Sequence, residues 1–383
     1  MSAARPLGPA FDLLAGYERG GVLVDRGGLG VATGADGVDI DVSEVATSLR
    51  EAPERAVACG ALPFVGTGTL RLASRIVRRT EPGQTWLLGD GGSFARVAGS
   101  APSVAFTPTQ QRAVPDARVY GAAVEAAVAR IRAGAMRKVV LARTLRVEAG
   151  RALDPVTLAH RLRAVDPAAC TFAAPAPGGG VLVGASPELL VSRRGPQVRS
   201  NPLAGTAPRA GDQEEDRANA DALLASAKDR EEHAIVVEAV AEVLALRCER
   251  LTWDPEPVLR ETPNVWHLSS RFEGVLREPA PSALDLALAL HPTPAVGGAP
   301  PAAALAAIRD DEPFDRGAYT GPVGWVDVAG DGEFAIALRC ALLDGERATL
   351  YAGAGIVAGS VADSELAETD RKFQAFLDAL RWG

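Results

Sequence analysis

The stretch at residues 321–359 reads GPVGWVDVAGDGEFAIALRCALLDGERATLYAGAGIVAG, and no other part of the chain indicates its fold as clearly. Strand-length apolar runs follow one another there with few residues between them. The pairs Gly330-Asp331 and Asp344-Gly345 separate the runs, and such pairs are typical of tight hairpin turns. The stretch therefore predicts an antiparallel β-meander.

Helices are predicted on both sides of this meander. Apolar residues recur at helical spacing at about 117–134, 213–246 and 364–380, and Gly134 is a suitable end for the first helix. Strands in antiparallel groups with helices inserted between them indicate an α+β fold rather than a doubly wound parallel sheet.

Two further apolar runs are predicted to be strands. GGGVLVGASPELLVSRR, residues 178–194, should bend at Ser186-Pro187, because proline interrupts a strand. NVWHLSSRFEGVL, residues 264–276, reads as one strand.

Composition excludes several classes of protein. The 383 residues include 47% hydrophobic and 23% charged residues, close to a globular average, and the net charge is −8. Negative charge without a basic run argues against a nucleic-acid partner. Neither a membrane-spanning run nor the apolar core of a signal peptide is present. The four scattered cysteines indicate free thiols in a reducing cytosol, so we expect a cytoplasmic enzyme.

Lysine is rare in this chain. Only Lys138, Lys228 and Lys372 are lysines among 40 basic residues, and the others are arginines. Lysine can lose its proton when desolvated, whereas arginine keeps its own. The three lysines are therefore either chance survivors on the surface or residues that chemistry requires.

Two helices carry acidic pairs at i, i+3 spacing. Asp229 and Glu232 share one helix face, and Glu365 and Glu368 share another. Carboxylates from two helices suit Mg²⁺, but the same spacing also fits a solvated acidic face near a helix N-terminus. Lys228 and Lys372 flank these pairs, which favours a functional role.

Three isolated features complete the candidate chemistry. Glu188 follows the Ser186-Pro187 bend among apolar neighbours, where a carboxyl group is either a structural anion or a general acid. Arg339 interrupts an apolar strand, where burial of its guanidinium is costly unless an anion binds it. Gly353 and Gly355 lack side chains, so their backbone amides could approach a carboxylate closely. A serine nucleophile elbow and a dinucleotide-binding glycine motif are both absent.

Ten motifs in order resemble the chorismate-utilising enzymes, a superfamily of isochorismate, salicylate, anthranilate and aminodeoxychorismate synthases. The resemblance covers about residues 115–380. The motifs are KVVLAR, GASPELL, SNPLAGTAPR, DREEH, VWHLSS, LHPTPAVGG, RGAYTGPVGW, IALRCA, YAGAGIV and ELAETDRKF.

The resemblance implies a single α+β unit of two large antiparallel or mixed β-sheets packed face to face, with helices outside. Residues 1–112 would be the β-rich N-terminal part of that unit, and 113–383 its chorismate-binding catalytic region. It also implies Mg²⁺ as cofactor and chorismate as substrate, no nucleic acid or membrane partner, and a monomer without a glutamine amidotransferase subunit.

The resemblance also assigns roles, residue by residue. Lys138 would be the base that activates water and Glu188 the acid facing the departing hydroxyl. Glu232 and Glu368 would bind Mg²⁺ directly, with Asp229, usually Glu in the family, and Glu365 behind them through water. The implied substrate-binding residues are His267, Ala295, Tyr319, Arg339, Gly353, Gly355 and Lys372.

The motifs favour the isochorismate synthases within this superfamily, which would supply siderophore or menaquinone biosynthesis. Lys138 stands where ammonia-using anthranilate synthases typically carry Gln, and Ala204 where aminodeoxychorismate synthases place a nucleophilic Lys. Salicylate synthases, the second interpretation, tend to carry Thr at Ala295 and Lys at Pro301. A non-catalytic chorismate-binding protein is the third.

Overall fold

The computed structural model describes residues 5–7, 11–53, 56–73, 75–81, 84–88 and 110–381. Within these residues the strands are β1 (Arg5–Leu7), β2 (Leu23–Arg26), β3 (Leu29–Thr33), β4 (Gly37–Asp41), β5 (Val57–Ala61), β6 (Thr69–Ala73), β7 (Ile76–Glu81), β8 (Gln84–Leu88), β9 (Gln110–Val114), β10 (Lys138–Glu148), β11 (Cys170–Pro175), β12 (Val181–Ser186), β13 (Leu189–Arg194), β14 (Gln197–Asn201), β15 (Leu203–Pro208), β16 (Cys248–Trp253), β17 (Val258–Glu261), β18 (Val265–Ser269), β19 (Phe272–Leu276), β20 (Gly298–Ala299), β21 (Pro322–Asp327), β22 (Gly332–Ile336), β23 (Cys340–Asp344) and β24 (Arg347–Ile356).

The helices are inserted between groups of these strands, as the α+β pattern predicts. They are α1 (Val45–Glu51), α2 (Ala117–Arg132), α3 (Pro155–Val165), α4 (Gln213–Ala225), α5 (Ala227–Ala245), α6 (Ala283–Leu290), α7 (Pro301–Asp311) and α8 (Ala362–Arg381), with a short 3₁₀ helix at Leu13–Gly16. No helix in the described ranges is long and apolar enough to cross a membrane.

Two large antiparallel sheets form the body of the molecule. In the described residues the larger has 12 strands in the order β1-β8-β7-β3-β2-β11-β12-β23-β24-β10-β20, with β9 also paired to β10. The second has nine strands in the order β16-β19-β14-β13-β22-β21-β5-β6-β4, and β15-β18-β17 form a small third sheet. The predicted fold class is confirmed.

The two large sheets share a buried apolar core. Val24 and Phe172 of the larger sheet and Val57 and Trp325 of the second belong to one cluster of buried side chains. Helices α3 and α8 cover the larger sheet from outside through a separate cluster that includes Phe376. Burial of both sheet faces therefore supplies the main driving force for folding.

N-terminal strands take part in both large sheets. β2 pairs with β11, and β5 pairs with β21. The predicted boundary at residue 112 follows residues 89–109, which lie outside the described part of the chain. The division of the chain at that point stays a prediction.

The predicted meander is divided between the two sheets. β21 and β22 pair in the nine-stranded sheet, whereas β23 and β24 pair in the larger one. The chain crosses between sheets at residues 337–339, and Arg339 has a φ of 49°, which few non-glycine residues adopt. Hydrophobic alternation shows where strands lie but not which sheet they join.

The predicted bend at Ser186-Pro187 is a second crossing. β12 lies in the larger sheet and β13 in the nine-stranded one. Because β12 pairs with β23 and β13 with β22, the two crossings lie side by side. The Ala185 N–H donates to the Arg339 carbonyl at 3.2 Å, and the Ile336 N–H donates to the Glu188 carbonyl at 3.3 Å.

Two other predicted elements are each divided in the structure. The helix predicted over 213–246 ends at Ala225, and Ser226 caps a new helix by accepting a hydrogen bond from the Asp229 N–H. The strand predicted over 264–276 becomes β18 and β19 in different sheets. Serine at a helix start is the local signal that the sequence offered for the first division.

Candidate active site

A cavity opens beside the two sheet crossings, with about 650 Å³ of empty space when its open, solvent-filled mouth is included. Both crossings contribute to its wall, through Glu188 and Arg339. The predicted site residues on this wall are Glu188, Glu232, His267, Ala295, Tyr319, Arg339, Gly353, Gly355, Glu368 and Lys372. The structure therefore brings together side chains that are up to 184 positions apart in the sequence.

Lys138 lies directly behind this wall, at the start of β10. Its side chain is fully buried, and its Nζ lies 3.0 Å from Glu232 Oε1. Among the described residues no group accepts a well-formed hydrogen bond from this Nζ. A buried ammonium without such an acceptor is costly, so the arrangement suits a lysine whose partner arrives with a ligand.

Glu188 is buried at the other end of the site, 3% exposed. Burial raises the pKa of its carboxyl from 4.5 to about 8. A hydrogen bond from the Leu203 N–H and the positive charges of Lys138 and Lys372 lower this pKa, but burial has the larger effect. A carboxyl group with this pKa is largely protonated at pH 7. Glu188 can therefore donate a proton to a ligand in the cavity.

The raised pKa makes a stability prediction. Between about pH 4.5 and 8 the folded chain binds a proton at Glu188 that the unfolded chain has lost, so stability falls as pH rises. Glu188→Gln removes this dependence, and we expect the variant to exceed wild type by about 5 kcal/mol at pH 9 and to match it near pH 4. Chemical denaturation at both pH values measures the difference. An equal difference at the two pH values would contradict a protonated Glu188.

The three lysines each contact one glutamate of the acidic pairs. The Nζ–Oε1 distances are 3.0 Å for Lys138 and Glu232, 2.7 Å for Lys228 and Glu365, and 2.5 Å for Lys372 and Glu368. These side chains are mostly buried, so they are not a solvated helix face. The surface-survivor interpretation of the lysines is therefore wrong.

The carboxylates of Glu365 and Glu368 repel each other. Burial and the charge of Glu368 raise the pKa of Glu365, against the opposing effect of Lys228. Burial also raises the pKa of Glu368, but the charge and hydrogen bond of Lys372 outweigh it, and the net shift is downward. Neighbouring carboxylates that repel one another are the donor chemistry that a divalent cation neutralises.

The acidic residues are not assembled around one point. No three His, Cys, Asp or Glu side chains in the described part of the chain converge as a metal site. Asp229 instead accepts a hydrogen bond from Ser226 Oγ at 2.5 Å, and neither Asp229 nor Glu365 lines the cavity. Carboxylate oxygens are suitable ligands for Mg²⁺. In this structure the ammonium groups of the three lysines balance the negative charges of Glu232, Glu365 and Glu368.

His267 and Arg339 form a fixed pair on the cavity wall. The His267 Nδ1 lies 3.1 Å from the Gly205 carbonyl, so Nδ1 carries the proton, and Nε2 accepts from Arg339 Nη2 at 3.0 Å. Burial and the charge of Arg339 keep the pKa of His267 well below its ordinary value. His267 is therefore a neutral acceptor that orients the Arg339 guanidinium.

Gly353 and Gly355 leave room for the side chains around them. A Cβ on Gly355 would lie 1.9 Å from Glu232 Oε1, and one on Gly353 would lie 3.2 Å from the Tyr319 hydroxyl. Opposite them, the N–H groups of Val140 and Ala142 donate away from β24. In an antiparallel pair the N–H groups of the two facing residues then also point away from the partner strand, so within the described residues the Gly353 and Gly355 amides take no part in the β10–β24 ladder.

The sequence reasoning missed several residues of the wall. Tyr351 stacks on Tyr319 with ring centroids 4.8 Å apart, and Thr206 and Leu338 also line the cavity. Thr320, another lining residue, has a φ of 63°. Tyr351 directly precedes the AGAG run, so an aromatic residue beside that motif was the available signal.

Comparison with known proteins agrees with this geometry. The family described as chorismate binding enzyme matches residues 95–381. The chain is 41% identical over 373 residues to the isochorismate synthase DhbC of Bacillus subtilis, covering 94% of this chain and 91% of that protein. It is 40% identical over 304 residues to the isochorismate synthase EntC of Escherichia coli, covering 78% of each.

A solved structure extends the agreement to the fold. The menaquinone-specific isochorismate synthase MenF of Escherichia coli superposes with a TM-score of 0.86 at 25% identity, covering 99% of this chain and 94% of that one. The family match and these relatives identify the chain as an enzyme. The chain belongs to the chorismate binding enzyme family, and the resemblance predicted from its motifs is confirmed.

Proposed function

We propose that this protein is an isochorismate synthase that converts chorismate to isochorismate in a Mg²⁺-dependent reaction. The observation that carries the proposal is a cavity lined by buried Glu188, with a pKa of about 8, and by Glu232, with buried Lys138 behind the wall 3.0 Å from Glu232 Oε1. Adding water at ring carbon C2 while hydroxide leaves C4 needs one base and one acid. The raised pKa of Glu188 suits the acid, and lysine is a residue type that can serve as the base.

Lys138 would act as the base. In its uncharged form its Nζ accepts a proton from water as the water oxygen bonds to C2. The ring double bonds shift, the C4–O bond breaks, and Glu188 protonates the departing oxygen to give water. Atoms and charge balance because one water enters and one leaves, and the proton passes from Lys138 back to Glu188 before the next turnover.

The cavity's cations and amides would bind the dianionic substrate. Arg339, oriented by His267, and the Tyr319 hydroxyl suit the enolpyruvyl carboxylate, and the amides of Gly353 and Gly355 add donors. Lys372 suits the ring carboxylate. These contacts reverse the sign of the field that a chain of net charge −8 otherwise presents to an anion.

Glu232 and Glu368 are the residues that would hold Mg²⁺, with Glu365 and Asp229 behind them. The bound ion would supply a fixed charge for the ring carboxylate and for the electron density that moves through the diene. Its binding should be tighter with chorismate present, because the substrate carboxylate completes the set of oxygen donors.

Chelation with EDTA is expected to abolish turnover, and added Mg²⁺ to restore it. Glu368→Gln should raise the Mg²⁺ concentration for half-maximal rate by about tenfold or more, because one anionic donor is lost. Glu333→Gln is the matched control, since Glu333 pairs with Arg26 at 2.7 Å and does not line the cavity. Direct Mg²⁺ titration by calorimetry with chorismate present gives a second readout. Full activity after exhaustive chelation would show that the reaction does not need Mg²⁺, and Glu232 and Glu368 would then have only a structural role.

Product identification by chromatography tests the proposed function. Purified protein with chorismate and Mg²⁺ should give isochorismate, and isochorismate should give chorismate in return. Stoichiometric pyruvate with salicylate would instead make the protein a salicylate synthase. We further propose that the protein works as a monomer in the cytoplasm. A glutamine amidotransferase subunit is not expected, because the proposed base activates water rather than ammonia.

A further inference from the structure

The outer edge of β10 has a gap between its two strand neighbours. β20 pairs with Lys138 and Val139, and β9 pairs with residues from Thr144 onward. In the described structure no strand covers the residues between them on this edge. The Val140 N–H donates to the Gly297 carbonyl at 2.8 Å, so the Val140 carbonyl and the Ala142 N–H are the groups that need other partners.

Arg316 and Glu312 fill this gap. Arg316 Nη2 donates to the Val140 carbonyl at 2.8 Å, and Glu312 Oε1 accepts from the Ala142 N–H at 2.8 Å. The two side chains form a bidentate ion pair, Nε–Oε2 at 2.8 Å and Nη2–Oε1 at 2.5 Å, and each is 3% exposed. A side-chain pair thus replaces a neighbouring strand at this point.

The same guanidinium reaches two other parts of the cavity wall. Arg316 Nη1 donates to the Val296 carbonyl at 2.8 Å, which ties in the loop that carries Ala295. The guanidinium also reaches the Tyr319 segment, because Nη1 donates to the Thr320 hydroxyl at 3.4 Å and the Tyr319 ring centroid lies 5.9 Å from the guanidinium carbon. The ring of Phe64 covers the guanidinium at 4.4 Å, so an N-terminal residue closes the arrangement.

We propose that Arg316 and Glu312 are a positioning pair that fixes the strand of Lys138, the loop of Ala295 and Tyr319 relative to one another. The inference rests on the proposed function. A buried ion pair adds little net stability compared with apolar side chains of similar size, so stability alone does not explain it. Directional contacts to three wall segments do explain it, because misplacing a reacting group by about 1 Å lowers rates by about 100-fold.

Two double variants separate positioning from stability. Arg316→Met/Glu312→Leu replaces the pair with apolar side chains. Arg78→Met/Asp327→Leu is the matched control, since Arg78 pairs with Asp327 at 2.6 Å, stacks on Trp325 and does not line the cavity. We expect the first to lower kcat by about 10- to 100-fold at a temperature where both are folded, and the control to stay within about twofold.

Hydrogen exchange measured by mass spectrometry gives a readout independent of turnover. The peptide containing Ala142 should exchange its amide hydrogens faster in Arg316→Met/Glu312→Leu than in wild type. Its exchange rate should not change in the control variant. A kcat within about twofold of wild type, or unchanged exchange there, would overturn the inference. If the double variant does not fold, Arg316→Lys is judged by the same two criteria. If wild type does not convert chorismate, the proposed function fails, and the exchange result alone decides whether the pair fixes the wall.

Discussion

Lys138→Arg is expected to lower the rate of chorismate conversion by about 10³-fold while the protein remains folded. Arginine keeps the positive charge beside Glu232 but cannot accept a proton from water. Lys138→Ala should lose as much activity, because it also removes the base. Steady-state kinetics, with circular dichroism to verify folding, measures the effect.

A conservative exchange on the same strand is the control. Arg143 follows on β10, pairs with Asp370 and stacks on Phe373, away from the cavity. Arg143→Lys should keep kcat within about threefold of wild type. Near wild-type turnover in Lys138→Arg would show that a fixed charge is sufficient and would remove the general-base role.

Glu188→Gln is expected to stop net conversion, with a loss of about 10³-fold, yet to leave chorismate binding nearly unchanged. Hydroxide is a poor leaving group and needs a proton, which the glutamine amide does not supply. Binding should persist because the residues proposed to bind the carboxylates, Arg339, Tyr319 and Lys372, do not include residue 188. Calorimetric titration of chorismate with Mg²⁺ present, alongside the kinetics, measures both quantities.

The outcome of this variant separates two roles. If binding weakens in parallel with turnover, Glu188 holds the substrate rather than protonating it. If turnover survives, the departing hydroxyl takes its proton from another group, and the raised pKa of Glu188 has no catalytic meaning.

Most of the candidate site could be predicted from the sequence, because its residues stand in short motifs. The motifs identify Lys138 and Glu188. The scarcity of lysine draws attention to Lys138, Lys228 and Lys372 but by itself leaves open whether chance or chemistry keeps them. The α+β class followed from strand and helix periodicity. Each of these signals is local, within about ten residues.

The relation between distant segments could not be predicted in the same way. Alternation in residues 178–194 and 321–359 indicates strands, but it does not show that both stretches cross from one sheet to the other. Arg316 gives no periodic signal either, since its partners at Val140 and Val296 are far away in sequence. Its role depends on a gap in a strand ladder, which only the folded chain displays.

Isotope incorporation from H₂¹⁸O tests the central claim most directly. Purified protein with chorismate and Mg²⁺ in labelled water should yield isochorismate with one ¹⁸O, in the C2 hydroxyl, because in the proposed mechanism Lys138 activates a water from solvent. Chorismate recovered after equilibration should carry the label in its C4 hydroxyl through the reverse reaction. Isochorismate without label would mean that the hydroxyl migrates within the substrate, and it would contradict the assignment of Lys138 and Glu188 as base and acid.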